Sequence, residues 1–486
     1  MSDQPPQKKG PLEKVKDKLS KGKSNGDDNG DSSAAPLVQN NLSLDQSLGQ
    51  KSLEQLMKQL TTGDLLTGMA PGGKNKKDMA SYKFWSTQPV AKFEEVIDEE
   101  GAIEAPSDVP DEPTPLLKDF EWVTMDLDDP AELKEVYELL TQNYVEDDDA
   151  SFRFDYSASF LQWALQAPGF HKSLHVGVRV RASKRLVGFI SGIPITLRAR
   201  NHDLKSSEIN FLCVHKKLRS KRLAPTLIKE VTRRCHQLGI WQAVYTAGVV
   251  LPKPFSSCRY YHRSLDWVKL HDIGFSHLPA RSTKARQITK YKLPINTSIA
   301  GLRLVTKADV PAVGNLLRQT LARYDVSQVF SDEEVEHWFV GDPNLGQQDK
   351  VVWTYVVEQG GKITEFVSFY SLPSSVIGNA KHKKVNAAYL FYYGSESYYS
   401  DRSNYETRLK KLINDALILA NNIGFDVFNA LTLLDNPMFL DELKFGPGDG
   451  FLNYYLYNWR MKPVEGGLKT DGRLEVGGSQ VGLVML

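Results

Sequence analysis

From residue 82 onward, apolar and polar positions follow a pattern that occurs twice. "EWVTMDLDDPAELKEVYELLTQNY" (121–144) reads as a strand, an acidic cap and an amphipathic helix, and "LRLVTKADVPAVGNLLRQTLARY" (302–324) has the same order about 180 residues later. Helices ending in Trp163 and Trp338 are expected next. The alternation and Lys/Gly turns of "HVGVRVRASKRLVGFISGIP" and "VVWTYVVEQGGKITEFVSFYSLP" then predict two antiparallel hairpins. Each hairpin leads to a further strand, "INFLCV" or "AAYLFY". A glycine-closed helix follows in each half ("HQLGI", "NNIGF"), and then the strands "WQAVYTAG" and "DVFNALTL". Such a long period predicts duplication of a mixed α/β unit, each half contributing an open sheet flanked by helices.

Before residue 82 the pattern stops. Residues 1–81 contain no Phe, Trp or Tyr, and seven lysines lie between Lys8 and Lys23. That composition cannot bury enough apolar surface to offset ordering entropy, so a disordered tail is expected. Leu53, Leu56, Met57 and Leu60 have helical spacing and allow a short transient amphipathic helix. The lysine run is either a solvated tail or an electrostatic tether to an anionic surface such as a ribosome or membrane. The organisation expected is therefore 1–81 tail, 82–295 first half and 296–486 second half.

Composition narrows the classes. The 486 residues carry 60 Lys+Arg against 59 Asp+Glu, so any basic site is local, and no DNA-binding protein is implied. Cys213, Cys235 and Cys258 form no CxxC pair, which fits a reducing, cytoplasmic setting. No Cys/His spacing suggests a metal site. No apolar run approaches the roughly 18–20 residues of a membrane span.

Against this balance, "EINFLCVHKKLRSKRLAP" (208–225) is conspicuous, because Lys216, Lys217, Arg219, Lys221 and Arg222 follow a buried-looking strand at once. Pro225 suits a first helical turn, and Leu227, Ile228, Val231 and Cys235 form an apolar face up to Gly239. The loop is a solvated turn, a nucleic-acid patch or an anion site at a helix N-terminus. No aromatic is interleaved and no second basic stripe is seen, which weighs against nucleic acid. The second half has no matching basic block after "AAYLFYYG".

Strand, basic loop and helix in this order are similar to the acyl-CoA site of the N-acetyltransferase superfamily, without its glycine-rich loop. Together with "AVYTAGVVLPKP", "YKFWSTQPV", "NYVEDDDASFRFDYS" and "GDGFLNYYLYNW", the stretch closely resembles the N-myristoyltransferase (glycylpeptide N-tetradecanoyltransferase) family over residues 82–460 and the last few residues. "KDMASYKFW" and "GLVML" look fungal. The resemblance implies two tandem N-acetyltransferase-like halves related by a pseudo-two-fold. It also implies transfer of a myristoyl group from myristoyl-CoA, with no cofactor beyond that co-substrate, to the N-terminal glycine of Gly-x-x-x-Ser/Thr proteins, by a monomer.

Carried over by residue, the resemblance assigns CoA phosphates to Arg219, Ser220, Lys221 and Arg222, with backbone N–H groups of Leu223 and Ala224 beside them. Lys83, Phe84 and Trp85 would close over the CoA, and Phe211, Leu212, Cys213 and Val214 would also contact the acyl-CoA. An oxyanion hole would come from the backbone N–H groups of Phe211 and Leu212, which requires a break in the strand ladder. The α-carboxylate of Leu486 would be the base, and Asn210, Thr246 and Gly248 would orient the amine. Tyr144, Phe152, Phe154, Tyr260, His262, Ser374 and Tyr389 would line a peptide groove, and Asp147, Asp148, Asp149 and Asp449 would receive its basic residues.

Each assignment has a plainer alternative. Phe84, Trp85 and His262 suit a core, "EDDD" (146–149) suits a solvated loop, and "VGLVML" suits a last strand pinned into the core. Cys213 with His215 as an acyl-carrying pair is a weak signal. Competing functions are a short-chain acetyltransferase and a non-catalytic acyl-CoA-binding or ribosome-associated scaffold.

Overall fold

The computed structural model describes residues 79, 82–144, 151–219, 221–342, 344–475 and 477–486. The expected tail and its short helix, Asp147 to Asp149 and Ser220 lie outside the described residues. The strands are β1 (Phe120–Thr124), β2 (Phe152–Phe154), β3 (His175–Val180), β4 (Leu186–Ala199), β5 (His202–Val214), β6 (Gln242–Ala247) and β7 (Ser256–Ser264). The second half has β8 (Leu302–Leu304), β9 (Val326–Gln328), β10 (Val352–Gln359), β11 (Lys362–Ser371), β12 (Ser374–Val376), β13 (Lys384–Val385), β14 (Ala387–Ser395), β15 (Val427–Leu431), β16 (Gly446–Tyr457) and β17 (Val481–Gly482). The principal helices are α1 (Pro130–Asn143), α2 (Ala158–Leu165), α3 (Leu223–Gln237), α4 (Trp267–Asp272), α5 (Lys284–Tyr291), α6 (Val310–Leu321) and α7 (Tyr405–Ile423).

Local chemistry explains the helix ends. Asp129 caps α1 by accepting from the Ala131 N–H at 2.9 Å, and Pro130 occupies the first turn. Gly239 (φ +67°) stops α3, and Gly424 (φ +100°) stops α7, both in the left-handed region that glycine tolerates. The α3 row Leu223, Leu227, Val231 and Cys235 buries against β4, where Gly188 lets Leu227 approach the sheet.

The halves share one continuous sheet rather than forming two. Its order is β1-β3-β4-β5-β6-β16-β7-β15-β14-β11-β10-β8, which reads nearly the same from either end. β5–β6 and β14–β15 are the two parallel pairs on this path. At the centre the last strands are exchanged, since β16 pairs with β6 and β7 pairs with β15. The exchange was not visible as periodicity, because β7 and β16 are neighbours across the sheet rather than along the chain. One core runs through both halves, and the equivalent Trp163 and Trp338 meet edge-on at 4.8 Å. Trp163 lies inside α2, and Trp338 sits in a π-helical turn, Glu336–Val340, rather than at a plain helix end.

The glycine-rich segment after β16 crosses the sheet centre closely. A Cβ at Gly467 would stand 1.9 Å from the Thr432 carbonyl, so only glycine fits there. β17 then pairs parallel with β9, and Leu483, Val484 and Met485 are buried. The Tyr454 hydroxyl donates to the Leu483 carbonyl at 3.1 Å, and the Val484 N–H donates to the Tyr392 hydroxyl at 2.9 Å.

Candidate functional site: a cavity where the sheet splays

Pairing of β5 with β6 ends at Ile209↔Tyr245, and Asn210 and Thr246 diverge immediately beyond. On the other edge of β5 the ladder with β4 slips between Phe189↔Cys213 and Ser191↔Asn210, leaving an extra residue at Phe211–Leu212. Phe211 has φ +55°, a left-handed conformation that a bulky L-residue adopts only when its surroundings impose it. A bulge there re-aims backbone groups out of the ladder.

The splay opens into a largely apolar cavity of about 360 Å³. Its walls include Ile209 to Leu212 of β5, Ile228, Val231 and Thr232 of α3, and most of β6. Trp85, Tyr144, Asn210, Phe211, Leu212, Thr246 and Leu486, seven residues singled out from the sequence, all line it. Trp85 stacks on Tyr245 at 5.5 Å, and Tyr245 stacks on Tyr455 at 5.0 Å, so the segment entering from the N-terminal side roofs β6 and β16. Lys83 is exposed and Phe84 contacts Trp85 edge-on. Far from Leu486 in sequence, His236 and Trp241 stack at 3.9 Å and contribute apolar wall.

Beside this cavity the basic loop runs into α3. Arg222, in the left-handed region at φ +62°, occupies the N-cap and makes no side-chain cap, and no acidic residue lies in the first turn. Among the described residues no carboxylate or hydroxyl caps the first N–H groups of α3, which is a favourable setting for an anion. Asn143 organises the loop by accepting from the Lys216 N–H at 3.0 Å through its side chain and from Arg219 at 2.5 Å through its carbonyl. Among the described residues Lys217, Arg219, Lys221 and Arg222 have no carboxylate partner. Leu223 and Ala224 begin the helix.

A chain of aromatic rings leads away from the bulge. Tyr156 touches Phe211 at 5.3 Å, Tyr144 at 5.8 Å and Phe154 at 5.7 Å. Phe154 pairs with Ser374 across the β2–β12 ladder, and Tyr389 stacks on Tyr370 at 5.4 Å. His262 Nδ1 and Asn429 Oδ1 lie 2.7 Å apart. Burial lowers the His262 pKa, opposed by the bond to Asn429 and by Asp449. Gly448 lies so close to His262 that a Cβ would meet its ring, and Asn453 holds the Gly248 carbonyl at 3.4 Å. Burial raises the phenols of Tyr144, Tyr260 and Tyr389, which therefore stay protonated near neutrality.

Cys213 turns into the core, its Sγ 3.8 Å from the Leu139 carbonyl, and burial pushes its thiol up to about 12. The His215 Nδ1 faces the Lys217 N–H instead. A Cys–His nucleophile is not assembled. Sequence reading missed Glu208, buried one strand repeat before Asn210 and accepting from its Nδ2 at 2.6 Å. Burial pushes the Glu208 carboxyl up to about 7. It also missed Tyr156, Tyr245 and Asn143. All three stand inside the quoted segments, so only their contacts were hidden.

An apolar opening between parallel strands, a cation-bearing helix start and a polar aromatic groove meeting at one bulge define a class: a protein that brings an amphiphile with an anionic head up to a second substrate. Comparison makes the class specific. Residues 99–258 match the N-terminal domain, and residues 272–484 the C-terminal domain, of myristoyl-CoA:protein N-myristoyltransferase. The chain belongs to this family of N-acyltransferases. It is 53% identical to the glycylpeptide N-tetradecanoyltransferase of Aspergillus fumigatus over 93% of this chain and 94% of that one. Identity to the same enzyme of Candida albicans is 50%, over 90% and 98%. A crystal structure of Saccharomyces cerevisiae N-myristoyltransferase with bound myristoyl-CoA superposes with a TM-score of 0.82 at 50% identity, covering 84% of this chain and 95% of that one.

Proposed function

We propose that this protein transfers a myristoyl group from myristoyl-CoA to the α-amine of an N-terminal glycine by direct attack on the thioester. One observation carries the reading: the strand break at Phe211–Leu212 and the last residue, Leu486, line the same apolar cavity. The acyl chain lies in that cavity, and the CoA phosphates lie against Arg219, Ser220, Lys221, Arg222 and the N-terminus of α3.

An α-amine with a pKa near 7.7–8 must lose a proton before it attacks. The Leu486 carboxylate accepts it, while Asn210, Thr246 and Gly248 hold the nitrogen in line. As the C–N bond forms, charge gathers on the thioester oxygen, where the Phe211 and Leu212 N–H groups donate to it. As the adduct collapses the nitrogen gives up its second proton, which passes to sulfur while the C–S bond breaks, so CoA leaves as a thiol and the proton held by Leu486 is released to solvent. The peptide follows the groove of Tyr144, Phe152, Phe154, Tyr260, His262, Ser374 and Tyr389, with its basic residues near Asp147, Asp148, Asp149 and Asp449.

Mass spectrometry of a Gly-x-x-x-Ser peptide incubated with acyl-CoAs from acetyl to palmitoyl tests this. Myristoylation of the terminal amine, fastest with the myristoyl donor, is expected. Acetyl transfer in preference, or acyl-CoA binding without transfer, would replace the reading.

A further inference from the structure

One stretch plays no part in the acyl-transfer reading. Residues 273–308, between Asp272 and Asp309, contain no Asp or Glu. Arg281, Lys284, Arg286, Lys290 and Lys292 are exposed there, and among the described residues none is in a salt bridge, while Lys284 lies near enough to Asp272 to help lower its pKa. Helix α5, which carries three of them, buries only Gln287. Lys444 adds another cation by donating to the Lys290 carbonyl. The fold thus displays a second basic stripe that the sequence reading did not find.

Aliphatic side chains are set among these charges. Leu278, Ile288, Ile295 and, on α4, Val268 are exposed, Ile295 by 79%. Val268 and Ile288 border a shallow depression of about 370 Å³ between α4 and α5. The nearby acids are engaged: Asp272 pairs with Lys381, Asp426 pairs with Lys269, and Asp266 caps α4 through the Lys269 N–H. The stretch begins at the groove, because Phe275 packs edge-on against His262 at 5.3 Å and Phe152 at 5.8 Å.

Cations alone would fit any polyanion. A single-stranded nucleic acid would need aromatic platforms, and Phe275 and Tyr291 are both engaged inward. Exposed aliphatic residues between lysine stems fit the headgroup–acyl boundary of a bilayer. We propose that this face docks the protein on an anionic lipid bilayer, cations against the headgroups and Leu278, Ile288, Ile295 and Val268 at the acyl boundary. The proposal does not depend on the acyl-transfer reading.

Cosedimentation of the full chain with vesicles tests it, using phosphatidylcholine alone or mixed with phosphatidylserine. The seven lysines from Lys8 to Lys23 are changed to Gln throughout, to remove their own attraction. Selective binding to the mixed vesicles, weakening with salt, is expected. Each basic side chain near an anionic leaflet contributes about fivefold, so Lys284→Gln, Arg286→Gln and Lys290→Gln together should cost roughly 100-fold. Val268→Ser with Ile288→Ser should cost about tenfold at every salt concentration. Lys284→Arg with Lys290→Arg should bind like the parent, which separates charge from folding damage. Equal binding to both vesicle types, no binding to either, or a triple Gln variant that binds like its parent overturns the proposal. So does a triple variant that loses RNA in a gel shift while keeping its vesicles.

Discussion

The two halves contain the same backbone device in different states. In β5 the extra residue falls at Phe211–Leu212, and in β14 the slip between Val367↔Tyr393 and Phe369↔Leu390 puts it at Phe391–Tyr392. Each bulge begins two residues after the last parallel pair, Ile209↔Tyr245 or Tyr389↔Asn429. In the second half the Ser368 hydroxyl donates to the Tyr392 carbonyl at 2.7 Å and accepts from its N–H at 3.1 Å. The matching residue on β4 is Ile190, an apolar wall of the cavity. Phe391 keeps ordinary φ where Phe211 does not. Duplication supplied two sheet openings. One was sealed with a hydroxyl, aromatic packing and the C-terminal strand, and the other was left as a cavity.

The widest gap between the halves should appear in the rate of transfer. The C-terminal strand is anchored in second-half packing yet delivers Leu486 to the first-half cavity. Deleting Leu486, or appending a short Gly/Ser tail, should slow single-turnover transfer about 10²–10⁴-fold with melting temperature and acyl-CoA affinity kept. Leu486→Ala should stay active; if it is as slow as the deletion, Leu486 is only an anchor. Next is an attempt to seal the open bulge. Ile190→Ser copies Ser368 and should occupy the Leu212 N–H, lowering kcat about 10²–10³-fold below Ile190→Ala, the control for lost volume. Equal kcat for Ser and Ala would remove Leu212 from the oxyanion hole.

A smaller asymmetry lies one residue before the last parallel pair, where the first half has Glu208 and the second Ala388. The Glu208 carboxyl ionises near 4.5 when unfolded and near 7 when buried, so between these values the unfolded chain binds fewer protons. The stability that Glu208 contributes is therefore fully present below about pH 4.5 and is lost as pH rises through 7, roughly 3 kcal/mol in total. Glu208→Gln should flatten that decline in denaturant titrations across the range; an unchanged slope would mean that Glu208 is not the titrating group. The basic loop comes next. Arg219→Ala or Arg222→Ala should each weaken myristoyl-CoA binding by about 1.5–3 kcal/mol with peptide affinity at saturating acyl-CoA unchanged. Arg402, on the matching second-half connection, lies over the Tyr398 ring at 4.1 Å, and Arg402→Ala should leave CoA binding untouched.

Much of this contrast was legible in the residues. Hairpins, glycine-closed helices and the basic loop have short-range signatures, and they stand where expected. The exchange of β7 and β16 does not, because antiparallel neighbours from opposite halves carry no shared period. The cavity was legible only through family resemblance, since its depth comes from Tyr245, Trp241 and α3 meeting in space. Glu208 read as one more polar residue on a strand; burial, which no local pattern encodes, is what shifts its proton. The second basic stripe was hidden in plain composition, because net charge near zero masks a 36-residue interval without acid.

The smallest effect concerns the sealed bulge itself. Ser368 is fully buried and its hydroxyl serves both the N–H and the carbonyl of Tyr392, whose own hydroxyl takes the Val484 N–H. Ser368→Ala removes both contacts and leaves a buried donor unmatched, so denaturant titration should show a loss of about 1–3 kcal/mol. Ser191 makes a single bond, to the Asn210 carbonyl at 3.0 Å, so Ser191→Ala should lose less stability than Ser368→Ala. The catalytic readout should separate the two in the opposite direction: Ser191 touches the residue that would orient the amine, whereas Ser368 reaches Leu486 only through Tyr392 and the last strand. A Ser368→Ala protein that is as stable as wild type would mean that the Tyr392 N–H finds another partner, and that aromatic packing, not the hydroxyl, closes the second opening.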